Sequence, residues 1–216
     1  MTPLPRILVT AFEPFDDRAA NRSQEWLEAF LDRARDGGLA HRVDLSAALL
    51  PVDYLRLPRA LVRLWRSERP DAWLLLGESG AGEALRVERV AVNLLDAAIP
   101  DNAGRMRRDA TVVRGGPAAY FATADVRRVA ATLEKDGARA VVSLSAGSFC
   151  CNQAFYLARH LAATSRRAGA KKARIVFLHV PRLPLSRAKP APRIDAAADG
   201  LVRVVRALAA APRSAR

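Results

Sequence analysis

Cysteine is scarce in this 216-residue sequence, with two residues, adjacent at positions 150 and 151, and histidine is nearly as rare, with three. Neighbouring cysteines cannot staple distant segments together. A disulfide scaffold is therefore excluded, and a reducing, cytoplasmic setting is expected. So small a stock of Cys and His also leaves little material for a metal site, and none is expected. Long apolar runs are missing: stretches such as 72–77 fall far short of a membrane span, so no membrane partner is expected. The first six residues lack a basic stretch followed by an apolar one, and are not expected to act as a secretory signal. What remains is half hydrophobic and a quarter charged, enough to bury a core in one domain spanning 1–216 and too apolar for a disordered chain.

Lysine is also rare. It occurs at 135, 171, 172 and 189 only, so 31 of the 35 basic residues are arginine. The net charge of +13 is unevenly spread, because residues 159–216 hold 14 basic and two acidic groups while 1–158 are nearly balanced. Such a segment could serve a non-catalytic binder of nucleic acid or another acidic partner. No aromatic residues interleave with these arginines to stack on bases, so a solvated basic face is the favoured expectation and nucleic acid is not the expected partner.

Hydrophobic runs alternate with amphipathic stretches. Residues 7–10, 43–50, 72–77, 85–94, 140–144 and 174–179 have strand character, with a short further strand at 111–113. Residues 23–35, 54–65, 125–136, 151–165 and 194–211 have helical spacing, with Ser23 as a cap for the first and Gly137 ending the third. Residues 77–82 form a glycine-rich loop without the Lys-Ser/Thr ending of a phosphate loop. Strands alternating with helices predict an α/β fold, a three-layer α/β/α domain with a central, mainly parallel, mixed sheet. In such sheets sites lie beyond the carboxyl ends of strands, here after Thr10, Gly77, Leu144 and Leu178.

Four residues in three segments can do chemistry. Cys150 and Cys151 follow a strand and open a helix, where the dipole and unpaired N–H groups favour thiolate. One can be a nucleophile while the other packs inward, although a small buried Cys in the core is as common a role. His179 ends the last strand and can act as a base toward the thiol, or simply be a hydrogen-bonded structural histidine. Glu88, on an alternating stretch, can orient an imidazole or pair with Arg86 or Arg89. Spacing alone does not choose between these.

Taken together, the segments resemble the pyroglutamyl-peptidase I family of cysteine peptidases. The resemblance runs in order from about Arg6 to Pro184. It is carried by Val9-Thr10-Ala11-Phe12-Glu13-Pro14-Phe15 with Asn21 and Ser23, by Leu50-Pro51-Val52, and by Glu88-Arg89-Val90-Ala91-Val92-Asn93. It continues through Ile99-Pro100-Asp101-Asn102-Ala103-Gly104, Ser145-Ala146-Gly147-Ser148-Phe149-Cys150-Cys151-Asn152, and Phe177-Leu178-His179-Val180-Pro181 with Leu183-Pro184. It implies Cys151 as nucleophile, His179 as base and then acid, and Glu88 as the orienting carboxylate. It also implies hydrolysis of N-terminal pyroglutamyl residues from peptides without metal or cofactor, and a homo-oligomer, often a tetramer. The lactam pocket would be lined by Phe12, Phe15, Ile99, Phe149 and Cys150, with Asn21 as a polar contact and Glu78 where the family has glutamine.

The sequence departs from the family around the pocket. Arg86 replaces a Ser or Thr, and Ala98 replaces an arginine. An amidase of the same fold with a changed pocket is therefore the nearest alternative. An unpaired Glu78 facing an apolar pocket would be costly, and Arg86 and Arg89 are the cations near it in sequence. On that basis, replacing Glu78 by Gln together with Ala98 by Arg is expected to raise activity.

Overall fold

The computed structural model describes residues 3–80, 82–135, 138–182 and 194–210, with the side chains of 194–197 excepted. Gly137, Leu183 and Pro184 lie outside the described residues. The β-branched run near the N-terminus becomes β1 (Arg6–Phe12), with every residue from Ile7 onward buried. That is the environment of a strand covered on both faces. The further main strands are β2 (Asp44–Leu50), β3 (Ala72–Ser79), β4 (Leu85–Glu88), β7 (Ala140–Ser143) and β8 (Arg174–Pro181). They form one six-stranded sheet in the order β2-β1-β3-β8-β4-β7. All neighbours are parallel except β4 and β8, which pair antiparallel.

Helices cover both faces. On one side α1 (Arg22–Asp36), α3 (Val126–Glu134) and α5 (Ile194–Ala209) pack Trp26, Phe30, Leu133, Leu201 and Val205 against Leu74, Leu76, Val176 and Leu178 of the sheet. On the other, α2 (Arg56–Glu68) and α4 (Cys150–Thr164) pack Leu57, Leu61, Phe155 and Tyr156 against Trp73, Leu75, Ile175 and Phe177. Residues alternate between the two cores along β3 and β8, as the period of two in a strand requires. The expected α/β/α layering with a mixed, mainly parallel sheet is thus present.

Several local expectations change. The single strand expected over 85–94 is divided between two sheets: β4 joins the main one, while β5 (Val90–Val92) pairs antiparallel with β6 (Ala119–Phe121). Arg89 makes the last backbone bond to the main sheet, N–H to the Ser143 carbonyl, and the chain then turns away. Residues 111–113 are not a strand. Ala110 forms an isolated bridge with Leu95, and the Val113 N–H is held by the Asn93 side chain. The cap of α1 is Asn21, whose Oδ1 accepts from the Ser23 N–H, while Ser23 is a buried first-turn residue. Gly77 and Glu78 lie within β3 rather than in a loop, because β8 stays in register with β3 as far as Ser79 and Pro181. β7 runs opposite to β8, so its carboxyl end does not lie at His179's end of the sheet, and residues 144–149 bend back to begin α4.

The start of α4 is fixed by a side chain. Asn152, fully buried, donates from Nδ2 to the Val92 and Leu94 carbonyls and accepts from the Val92 N–H, all at 2.9 Å. This replaces a missing strand neighbour for β5 and anchors the helix that carries both cysteines. Asn152→Ala leaves these groups without partners in a dry setting. It is expected to cost about 2–4 kcal/mol of unfolding free energy, measurable as a lowered urea midpoint.

Candidate active site

Three strands place the expected residues around one point. Gly77 of β3 is in register with His179 of β8. Across β8, Arg86 of β4 stands directly opposite His179 and Glu88 directly opposite Phe177. Arg86, Glu88 and His179 therefore share a face, and the Glu88 carboxylate reaches diagonally to the imidazole. His179 Nδ1 and Glu88 Oε1 are 2.9 Å apart. Glu88 is fully buried and His179 nearly so. With Nδ1 turned to the carboxylate, Nε2 is the nitrogen left for other chemistry.

The thiol comes to the same point from α4. A Cβ at Gly77 would lie 2.8 Å from Cys151 Sγ and 2.6 Å from the Phe177 ring, so the sulfur occupies space that any side chain at 77 would take. Cys151 keeps partial access to solvent, whereas Cys150 is buried among Tyr54, Phe149 and their neighbours. The two cysteines thus divide as the sequence allowed: Cys151 is the accessible one, and Cys150 is buried in the core with one side forming part of the cavity wall.

A cavity of about 370 Å³ opens at Cys151. Its lining includes Phe12, Phe15, Asn21, Glu78, Ile99, Phe149, Cys150, Cys151 and His179. Glu88 lies behind His179 and is not part of the wall. Sequence reasoning missed Val52, Ser79, Gly80, Arg86 and Ser145 to Gly147 as wall residues. Their segments had been singled out, but only the bend of 144–149 back toward β8 shows that they converge. The aromatic wall is continuous: Phe149 lies edge-on to Tyr54 at 5.6 Å and tilts against Phe15 at 6.1 Å. Two carboxylates hold the loops of that wall. Glu13 accepts from the Val52 N–H and the Asn102 amide. Asp101 accepts from the Tyr54, Ala103 and Arg105 N–H groups.

Glu78 is not unpaired, and neither Arg86 nor Arg89 neutralises it. Its carboxylate is bonded to Arg18 and accepts from the Arg22 N–H at 2.8 Å, with Arg182 Nε at 3.6 Å. Strand alternation explains this: Gly77 faces the thiol, so the next side chain points to the α1 side. The Arg18 guanidinium also lies 4.2 Å from the centre of the Phe15 ring. Glu78 therefore ties the loop that carries Phe15 to β3. Its charge supports the pocket wall, contrary to the electrostatic drift expected from sequence.

The helix terminus does not set the resting state of the thiol. Burial, and then the Glu88 and Glu78 carboxylates, push Cys151 up to about 12. Cys150 is raised further, chiefly by burial and then by Cys151 and Asp101. The thiol is thus protonated at neutral pH, and it becomes a nucleophile only where a base takes its proton. A thiol, a carboxylate-held imidazole and unpaired first-turn N–H groups make up the equipment for acyl transfer. The cap residue of α4, Phe149, offers those N–H groups no side-chain acceptor.

Known proteins resemble this chain over most of its length. The family model described as pyroglutamyl peptidase matches residues 5–214. A pyrrolidone-carboxylate peptidase of Clavibacter michiganensis is 38% identical over 207 residues, covering 94% of this chain and 92% of its own. Another, from Ralstonia nicotianae, is 39% identical, covering 84% and 80%. Among solved structures, pyroglutamyl peptidase I of Bacillus amyloliquefaciens superposes with a TM-score of 0.79 at 28% identity, covering 92% and 93% of the two chains. The fold and the match over nearly all of the chain define a cysteine-type peptidase. The chain belongs to the pyroglutamyl peptidase family.

Because thiolate is the form that reacts with alkylating agents and its formation is disfavoured here, labelling of Cys151 by iodoacetamide should rise with pH. The expected slope is about tenfold per pH unit from pH 7 to 10, without a plateau. Mass spectrometry should place the label on Cys151 and leave Cys150 unmodified. A plateau near neutrality would show that the thiol is ionised at rest.

Proposed function

We propose that this site hydrolyses the bond after an N-terminal pyroglutamyl residue, with Cys151 as nucleophile, His179 as proton carrier and Glu88 as its orienting partner. The observation that carries the assignment is the 2.9 Å contact of His179 with the buried Glu88, next to the sulfur seated over Gly77. His179 Nε2 takes the thiol proton as Cys151 Sγ attacks the carbonyl carbon. The resulting oxyanion is met by N–H groups at the start of α4. The developing imidazolium is stabilised by Glu88 through Nδ1. Collapse breaks the C–N bond, and the departing amine takes the proton from Nε2. Water, deprotonated at Nε2, then hydrolyses the thioester and releases pyroglutamate with the thiol restored. The lactam ring is neutral and flat, which suits Phe12, Phe15, Ile99 and Phe149, with the Cys150 wall beneath and Asn21 as a polar contact.

The whole chain is taken as one domain acting on peptides. A cytoplasmic setting is supported by two cysteines that are both free. A homo-oligomer, with a tetramer as the expected size, is supported by exposed apolar side chains at Leu144, just past edge strand β7, and at Phe121 of β6. The described basic residues of the last quarter are largely engaged within the fold. Arg159 donates to the Phe121 carbonyl, Arg167 lies over Trp65, Arg182 approaches Glu78 and Arg206 donates to the Gly37 carbonyl. That engagement favours the peptidase over a basic binding module.

Release of arylamine from a pyroglutamyl arylamide tests the assignment. Cys151→Ser should abolish turnover, and Cys150→Ala should retain most of it. Glu88→Gln should lower kcat by about 100- to 10 000-fold while changing KM little. Absence of turnover above the Cys151 variant would reject the specificity.

The clamp on the Phe15 loop gives a separate expectation. Glu78→Gln weakens its bonds to Arg18 and the Arg22 N–H, so KM should rise on the order of tenfold with kcat less affected. A gain in activity would show that the carboxylate disturbs the pocket.

A further inference from the structure

Arg86 is unused by the chemistry described above, yet it lines the catalytic cavity. It stands opposite His179 in the antiparallel β4–β8 pair, the arrangement in which side chains on one face lie closest. The amine that leaves receives its proton from His179, so the residue following the scissile bond emerges on His179's side, over Arg86. The guanidinium is anchored at one end, where Nη2 donates to Ser143 Oγ at 2.7 Å. Its nearest carboxylate, Glu88 Oε1, is 3.6 Å from Nε and is already bonded to His179. About a third of the side chain remains exposed. Elsewhere on the rim, Glu78 is matched by Arg18 and approached by Arg182, so it leaves no negative charge to meet Arg86.

Resting on the pyroglutamyl reading, we propose that Arg86 is a specificity-determining residue for the departing peptide. It selects substrates that present a carboxylate at the residue after pyroglutamate. That carboxylate is either an Asp or Glu side chain or the free terminal carboxyl of a dipeptide. A planar guanidinium held at one end can offer its remaining N–H groups to a carboxylate as paired, charge-assisted bonds.

The test compares kcat/KM for pyroglutamyl-Glu-amide with pyroglutamyl-Gln-amide, and for pyroglutamyl-Ala with its amide. The first pair reads the side-chain carboxylate and the second the terminal one. The charged member of at least one pair should be favoured on the order of tenfold at low salt, less at high salt. In Arg86→Gln the ratios should fall to within about twofold, whatever happens to the rate common to both members, and Arg86→Lys should restore part of the preference. Calorimetry of the same ligands on the Cys151→Ala protein reads the preference without turnover. Failure of every pyroglutamyl substrate in the assay would therefore count against the activity, and equal binding of charged and neutral ligands against this proposal. A ratio near one in the parent enzyme, an unchanged ratio in Arg86→Gln, or an equal loss on all substrates would overturn it. The last outcome would mean that Arg86 acts only through Glu88.

Discussion

The site depends on one reversal of direction. If β4 ran parallel to β8, as every other neighbouring pair in the sheet does, its short run from Leu85 to Glu88 would present a different register to His179. Running antiparallel, β4 sets Arg86 opposite His179 and Glu88 two residues along on the same face. A carboxylate there can reach Nδ1 without leaving the sheet. The reversal also explains why β7, parallel to β4, points away from the cavity. The segment 144–149 has to return to His179's end of the sheet before α4 can start, and the start of that helix is where the thiol lies.

Space is the second constraint. Cys151 Sγ, the Phe177 ring and the Gly77 backbone meet where no Cβ fits. The absent side chain of Gly77 lets a helix residue settle onto the strand beside the histidine. The same closeness removes water from the thiol, and burial outweighs the favourable helix terminus. A protonated thiol at rest is thus a consequence of packing. A site that stored its nucleophile as thiolate would need a more open or more positive surrounding than Glu88 and Glu78 provide.

How far the sequence alone led depended on whether an interaction was local. Strand–helix alternation located the layers, and the strand ends at Gly77 and His179 pointed to the right region, because periodicity is a property of neighbouring residues. The division of 85–94 is marked only by a slip of phase: Leu85 and Val87 are apolar, Glu88 and Arg89 are polar in succession, and Val90, Val92 and Leu94 resume one position out of step. That the slip moves the chain to a second sheet is not readable there, because the new position is held by Asn152, some sixty residues away in sequence. The sequence offers Ser23 as the cap of α1, yet Asn21, a pocket residue two positions earlier that satisfies the same preference, holds that place. The wall at Ser145 to Gly147 was inside a recognised segment. Its approach to Arg86 and His179 depends on strand direction, which composition does not encode.

Glu78 shows most clearly why such limits matter for function. Judged from neighbours in the chain, it is a carboxylate beside an apolar pocket with only Arg86 and Arg89 to balance it. In the fold, Arg18, sixty residues earlier, reaches it from the loop after β1, and the Arg22 N–H meets it from the first turn of α1. The same arginine packs on Phe15, so a charge that would have been a defect becomes the tether of a pocket wall. Arg86 is left with a weaker partner and an open side toward the cavity. Pairing one acidic residue with distant cations thereby leaves a nearer cation open, and the charge on that side of the cavity follows from where Arg18 lies as much as from Arg86 itself.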